Sequence, residues 1–289
     1  MILEWLESLL TPAPLWVRSL GFVRGSIAVR SRFLRCREAW QPHLNQTKAL
    51  ILEAAARCPK QRKVVLLGGG LLHDLPLEEL SRQFQTILLA DVVHPLSSRW
   101  HLRRYSAVQT VFCDATGILR DLAELSKHPQ NSQRPLPVSS PEAFLDDPEV
   151  DLLVSVNLLS QLSLTPSRLL GPNRPETEVQ QFRRHLALAH LRYLQNAPGQ
   201  AALISDTAWS RIHTQSLATQ TWNLFEKIPL PPPELHHQWN WSIAPAPERE
   251  KDHDFIAHVC GYPDWKAASR TLPLVPIESS PNATPLLPS

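Results

Sequence analysis

Residues 63–95 read KVVLLGGGLLHDLPLEELSRQFQTILLADVVHP, an order that few folds accommodate. An apolar run at 64–67 opens straight into Gly68, Gly69 and Gly70. A helical segment follows, and a second apolar run at 87–90 ends on Asp91. Strand, glycine turn, helix, strand and acid in that order hold a nucleotide-type cofactor at the edge of a parallel sheet. Glycine lets the backbone approach a ligand and take φ > 0 at no steric cost. A carboxylate at the end of the next strand can accept hydrogen bonds from both ribose hydroxyls.

The alternation continues along the chain. Apolar runs at 108–113, 151–156 and 201–205 are separated by helical patterns, which predicts an α/β fold with a Rossmann-like, doubly wound, mostly parallel sheet. None of the runs alternates strictly, as expected of strands covered on both faces. Two further strand-like runs, at 237–244 and 255–260, flank the polar segment EREKDHD and predict a terminal antiparallel hairpin on the sheet edge.

Residues 1–58 are helical in pattern. Trp5, Leu6, Leu9 and Leu10 make a short apolar face before Pro12 and Pro14, and a second helix is expected from about residue 27 to 57, closed by Cys58 and Pro59. Residues 128–141 read as a long surface loop. Twelve of the 27 prolines fall at 229–288, and beyond about Trp265 the chain reads as an extended or disordered tail. The expected organisation is a helical N-terminal extension at 1–60, a sheet domain at 61–265 and a proline-rich tail at 266–289.

Composition excludes several classes. At 289 residues, 43% hydrophobic and 19% charged, the chain is an ordinary globular one, and a net charge of +2 makes no whole-chain case for nucleic acid. The four cysteines form no C-x-x-C pair, so a disulfide framework or cysteine zinc site is not expected, and a reducing cytoplasm is the simplest home. Glu4, Glu7, Pro12 and Pro14 make the N-terminus a poor secretory signal, and no run approaches the roughly 20 apolar residues that span a bilayer. A soluble protein is expected.

No metal site is expected either. His236 and His237 point to opposite faces of a strand, and no acid or cysteine stands at ligand spacing around them or around His253 and His258. His185 and His190 are five apart and read as surface or boundary residues. No G-x-S-x-G elbow is present, and Cys113 reads as a buried strand residue. A P-loop is excluded because no G-K-[ST] follows the glycines. A dinucleotide fingerprint needs a third glycine where His73 stands.

The runs VVLLGGG at 64–70, LLADVVHP at 88–95, VFCDATG at 111–117 and DLLVSVNLLSQL at 151–162 resemble the class I S-adenosylmethionine-dependent methyltransferases. The resemblance covers roughly residues 60–260, and the closing hairpin is similar to that family's reversed final pair. It implies S-adenosyl-L-methionine as cofactor, with the turn Gly68, Gly69 and Gly70 against the methionine moiety and Asp91 on the ribose. Asp114 and Ala115 would face the adenine, and Asn157 would sit at the mouth of the fourth strand. Two positions depart from the family's pattern: Leu67 stands where an acid is common, and Leu72 interrupts the usual G-x-G-x-G run.

The bland readings of these acids stand beside the cofactor ones. Asp74 would cap the helix after the turn, Asp91 and Asp114 would be loop or helix-capping acids, and Asn157 would cap the helix at 158–162. His73, Asp206 and Trp209 are expected on the acceptor side, with Trp222, Trp239 and Trp241 as candidates for an aromatic-lined pocket or for core packing. Candidates for a general base, by position alone, are His73, His94 and Asp206. Methyl transfer needs no covalent intermediate, because a sulfonium carries its own leaving group.

Six arginines, Arg18, Arg24, Arg30, Arg32, Arg35 and Arg37, occur without an acid between Ser8 and Glu38. They suit RNA phosphates, an anionic membrane with Trp16, Leu20 and Phe22 as the apolar side, or a solvated face paired with acids elsewhere. The leading expectation is a methyltransferase acting on a small molecule, with the N-terminal helices as a lid. The alternatives are a non-catalytic, methyltransferase-like partner-binding protein and an RNA-modifying methyltransferase that uses the arginine stretch.

Overall fold

The computed structural model describes residues 2–127, 136–137, 139–169, 174–225, 228–232, 235–270 and 272. Most of the expected loop at 128–141, and of the expected tail beyond residue 270, lies outside the described residues.

The apolar runs form the sheet. Strands β1 (Lys63–Leu67), β2 (Thr86–Asp91), β3 (Val108–Phe112), β4 (Val150–Val156) and β5 (Gln200–His213) are joined in parallel in the order β3-β2-β1-β4-β5. Beyond β5 the sheet continues antiparallel through β8 (His253–Tyr262) to β7 (His237–Ala244), which gives the reversed final hairpin expected from the sequence.

Strand side chains alternate between faces, and here both faces are buried. Val64, Leu66, Ile87, Leu89, Leu152 and Val154 share one core with Leu50, Ile51, Ala54 and Ala55. Those four lie on helix α4 (Arg37–Ala56), whose small Ala54 and Ala55 let it lie close to the sheet. Val65, Leu67, Leu88 and Leu153 share the opposite core with Leu191 and Leu194 of α9 (Glu176–Gln195) and Trp265 of α10 (Trp265–Ser269). The result is three layers, doubly wound as expected.

At the N-terminus Pro12 and Pro14 separate α1 (Ile2–Leu10) from α2 (Leu15–Ser19). Arg18 reaches back to the carbonyls of Ser8 (2.8 Å), Leu9 (3.1 Å) and Thr11, which stand open at the end of α1. The apolar face of α1 is not buried: Trp5 and Leu10 are each 62% exposed.

Four expectations are corrected. The single helix expected at 27–57 is two, α3 (Phe22–Arg35) and α4, parted at Cys36, where ψ turns to 21°. No glycine or proline stands at 36 to mark that break in the sequence. Strand β5 does not stop at 205 but runs on past a register shift between Asp206 and Ala208, and it pairs on its far half with β6 (Thr219–Asn223). Every residue of β6 is exposed, so its sequence TQTWN carries no apolar period. The extended tail expected beyond Trp265 begins instead with α10, capped by Asp264 Oδ1 on the Ala267 N–H (2.9 Å) and anchored by the buried Trp265, which donates to the Leu191 carbonyl at 3.0 Å. Finally, His190 is not a surface or boundary residue: it is 0% exposed on α9 and lies 2.8 Å from Ser155 Oγ of β4.

Among the described residues no helix is long and apolar enough to cross a membrane, and no cluster of His, Cys, Asp and Glu could hold a metal ion.

Candidate functional site

Strand order reverses between β1 and β4, with β2 and β3 on one side and β5 on the other. In open α/β sheets the loops part at such a point and leave a crevice beyond the carboxyl ends of the strands. A cavity of about 730 Å³ lies there. It is walled by Gly68 after β1, Asp91 at the end of β2, Asp114 and Ala115 after β3, and Asn157 after β4. Helix α3 closes it on the opposite side through Gly25, Ala28, Val29 and Arg32.

The glycine turn is built for a close approach. Gly68 takes φ +81, and a Cβ there would meet the Val156 carbonyl at 2.7 Å. A Cβ on Gly70 would meet the Val93 carbonyl at 2.4 Å and Asp91 Oδ2 at 2.7 Å. That oxygen accepts the Gly70 N–H at 2.9 Å, and Oδ1 accepts those of Val92 (2.7 Å) and Val93 (3.4 Å). Asp91 therefore ties the turn after β1 to the turn after β2. Burial pushes its carboxyl above the usual carboxylate range, against the lowering pull of His94 and the three backbone donors. Of the three glycines only Gly68 borders the cavity; Gly69 and Gly70 lie behind the wall, where Gly70 acts through its bond to Asp91. Leu72, where the sequence lacks a third glycine, takes φ +67 with a side chain attached.

Asp114 organises the turn after β3. Its Oδ1 accepts from Thr116 N (2.8 Å) and Oγ1 (2.6 Å), and its Oδ2 accepts from Leu119 N (2.8 Å) at the start of α7 (Leu119–Ser126). The capping reading of Asp114 thus holds, and the residue still borders the cavity beside Ala115. For Asp74 the capping reading fails. Helix α5 (Leu77–Gln83) starts from Pro76 without a side-chain cap, and Asp74 Oδ2 instead accepts from Asn157 Nδ2 at 2.9 Å. Burial raises the Asp74 carboxyl.

Asn157 is central to a buried polar network. It takes φ +49 and, like Asp74, faces the cavity, but its Oδ1 has no partner. The peptide oxygen of Asn157, not its side chain, takes Gln161 Nε2 (2.7 Å) in the 3-10 turn Leu159–Gln161. Its Nδ2 lies 3.2 Å from His43 Nε2, while His43 Nδ1 lies 3.0 Å from Trp239 Nε1. An indole N–H can only donate, so His43 Nδ1 accepts and the ring proton sits on Nε2. Burial keeps the ring neutral, with its pKa lowered to about 3.

The aromatic residues divide. Trp209 and Trp241 border the cavity; Trp222 pairs across β6 with Trp209, and Trp239 holds His43. Asp206 does not border the cavity: Ser160 Oγ donates to its Oδ1 and Trp209 Nε1 to its Oδ2 (2.5 Å), and burial raises its carboxyl. His94 lies with Nε2 3.1 Å from the Val111 carbonyl and outside the cavity wall. Of the three general-base candidates only His73 borders the cavity, stacked on Phe33 at 3.7 Å with Nε2 buried and unpartnered. Burial lowers its pKa to about 4. Cys113 also borders the cavity, but burial pushes its thiol up to about 12, so it is not a thiolate.

The arginine stretch is largely engaged inside the chain. Besides Arg18 on α1, Arg30 pairs with Glu7 (3.1 Å), Arg35 grips Glu248 through two nitrogens (2.9 and 2.7 Å), and Arg32 approaches the same acid at 3.5 Å. Arg24 and Arg37 are exposed. Leu20 is buried, and Trp16 and Phe22 pack against it, so the apolar side of the membrane reading faces inward. Residues that sequence reasoning did not single out are His43, Arg249 and Trp40. Only the placing of a histidine on the apolar stripe of α4, between Trp40 and Leu44, gave a signal for the first.

No family model matches the chain, and no curated protein matches it. Among solved structures, the chain is similar to DhpI in complex with SAH, at 11% identity over 81% of this chain and 93% of that one, with a TM-score of 0.33. It is also similar to Burkholderia thailandensis 1,6-didemethyltoxoflavin-N1-methyltransferase with bound 1,6-didemethyltoxoflavin and S-adenosylhomocysteine (10% identity, 87% and 91% covered, TM-score 0.35). A third is the S-adenosylmethionine-dependent methyltransferase SibL in its apo form (11% identity, 78% and 57% covered, TM-score 0.33). At 10–11% identity and TM-scores of 0.33–0.35 these likenesses leave the function to be argued from the chain's own residues.

Proposed function

We propose that the chain is an S-adenosyl-L-methionine-dependent methyltransferase acting on a small molecule. The observation that carries this reading is the tie between Gly70 and Asp91 at the strand-order reversal, opening on a cavity that also reaches Ala115 and Asn157. The residues suit the cofactor: a side chain at 68 or 70 would collide with the Val156 or Val93 carbonyl and spread the turn that carries Gly68 to the cavity wall, and the carboxylate of Asp91 keeps acceptor capacity beyond its backbone bonds. Asp91 takes the ribose hydroxyls, Ala115 and the Asp114 turn flank the adenine, and the Gly68–Gly70 turn with Asn157 receives the methionine end. A volume of about 730 Å³ is within the range of small-molecule sites.

When bound, the cofactor supplies an electrophilic methyl group on a sulfonium. The chain's own part is to orient the acceptor and exclude water. Helix α3 closes the cavity, Trp209 and Trp241 form the acceptor wall, and His73 offers an uncharged ring nitrogen beside it. A helix does not begin at the glycine turn, since α5 starts only at Leu77, so a pyrophosphate has no helix N-terminus to sit on there. This favours a methyltransferase pocket over a dinucleotide one.

Calorimetric titration with S-adenosylmethionine, S-adenosylhomocysteine and NAD tests the proposal. Binding of the first two, weakened by about 1–3 kcal/mol in Asp91→Ala, is the expected result. Silence for both, or equal affinity in the variant, would contradict it.

A further inference from the structure

The acceptor end of the cavity has a chemistry of its own. The cavity wall as a whole contains three acids, Asp74, Asp91 and Asp114, and each is already engaged within the chain. The donors are not so well served. Arg249 borders the cavity, and its guanidinium lies 4.3 Å from the Phe255 ring and 5.7 Å from the Trp209 ring, with no hydrogen bond or ion pair among the described residues.

Its neighbours explain why. Glu248 is held by Arg35 and Arg32, and Glu250 by Arg211 (2.9 and 2.6 Å). Both adjacent acids are thereby held by other arginines; Glu250 still feels the charge of Arg249, but among the described residues no acid pairs directly with that guanidinium at the mouth of the cavity. A second donor is also unserved: Trp241 is buried, borders the cavity and has no partner for Nε1.

The aromatic wall around these donors is rigid. Trp241 stacks on His43 at 4.0 Å with planes 6° apart and meets Trp40 edge-on at 4.8 Å, and Trp40 donates to the Ile243 carbonyl at 3.1 Å. Trp209 is fixed by its bond to Asp206. Fixed indole faces favour a planar ring, and an unpaired guanidinium favours a carboxylate, which it can hold through two parallel bonds. A cationic acceptor would meet the like charge of Arg249.

We propose that the methyl acceptor is a small aromatic carboxylic acid, its ring against Trp209 and Trp241 and its carboxylate on Arg249. The proposal rests on the cofactor reading above for the word acceptor, but the binding itself can be measured without it.

The test follows tryptophan fluorescence of the full chain, with and without S-adenosylhomocysteine, against 4-hydroxybenzoate, 4-hydroxybenzamide and tyramine. The acid is expected to bind at least about tenfold tighter than the amide, with tyramine weaker still. Arg249→Gln should bring acid and amide to within about twofold, and Arg249→Lys should fall between. Arg249 is exposed, so neither change reaches the core. Equal affinity for acid and amide, a preference for the amine, or a preference that survives Arg249→Gln would overturn the proposal. Homocysteine-compound binding with no response to any aromatic probe would overturn it and leave the cofactor reading standing. Aromatic-acid binding without any response to the cofactor would support this site and remove the cofactor reading.

Discussion

At the scale of single residues, the glycine turn holds most of the site's geometry. Gly70→Ala would drive a methyl group into the Val93 carbonyl and the Asp91 carboxylate, both closer than real Cβ contacts allow. We expect a loss of about 1–3 kcal/mol in urea denaturation together with weaker cofactor binding. Gly25→Ala is the contrast: it lies inside α3, its Cβ would meet nothing within 4 Å, and about 1 kcal/mol should be gained. A Gly70→Ala variant as stable as the parent would show that the turn is not packed as described. These residues were legible in the sequence because glycine has few other reasons to occur in threes after an apolar strand. Asp91 was legible for the same reason, but its three backbone partners were not, since no sequence pattern records which amide a carboxylate will meet. The failure of Asp74 as a helix cap has a similar cause. Its carboxyl finds Asn157, 83 positions away, and a local capping rule cannot see so far.

At the scale of elements, strand positions were readable wherever both faces of the strand are buried. Strands β1, β2 and β4 are continuous apolar runs, and their expected bounds differ from the observed ones by one or two residues. Strand β6 and the far half of β5 were not readable, because an exposed two-stranded ribbon needs no apolar side. The break at Cys36 was also silent in the sequence, yet it shapes the cavity. It turns α3 away from α4, so that α4 packs on the sheet while α3 closes the cavity. Glu248, on the turn after β7, clamps the end of α3 through Arg35 and Arg32. Glu248→Gln should therefore speed hydrogen exchange along α3 and leave β1 and β4 unchanged. Unaltered exchange in α3 would mean that packing alone holds the helix down.

At the scale of the whole molecule, buried histidines make stability depend on acid. Burial lowers His43 to about 3 and His190 to about 4, against an unfolded value near 6.5. The unfolded chain thus binds protons first as the pH falls, and folding loses stability from about pH 6.5 down towards the folded values. Between pH 6.5 and 5 each histidine should cost up to about 2 kcal/mol. Urea denaturation at pH 7 and pH 5 should show the loss, with a smaller loss in His190→Gln. An equal change in the parent and in His190→Gln would mean that the His190 ring is not held neutral. The same whole-molecule arrangement, two buried sheet faces and one open crevice at the β1–β4 reversal, carries the central claim. The measurement that tests it most directly is a crystal structure of the chain with S-adenosylhomocysteine. The expected complex has ribose hydroxyls on Asp91, adenine beside Ala115 and the homocysteine end between the Gly68–Gly70 turn and Asn157. A ligand bound anywhere else, or an empty crevice in crystals grown at a concentration that saturates the protein in solution, would contradict it.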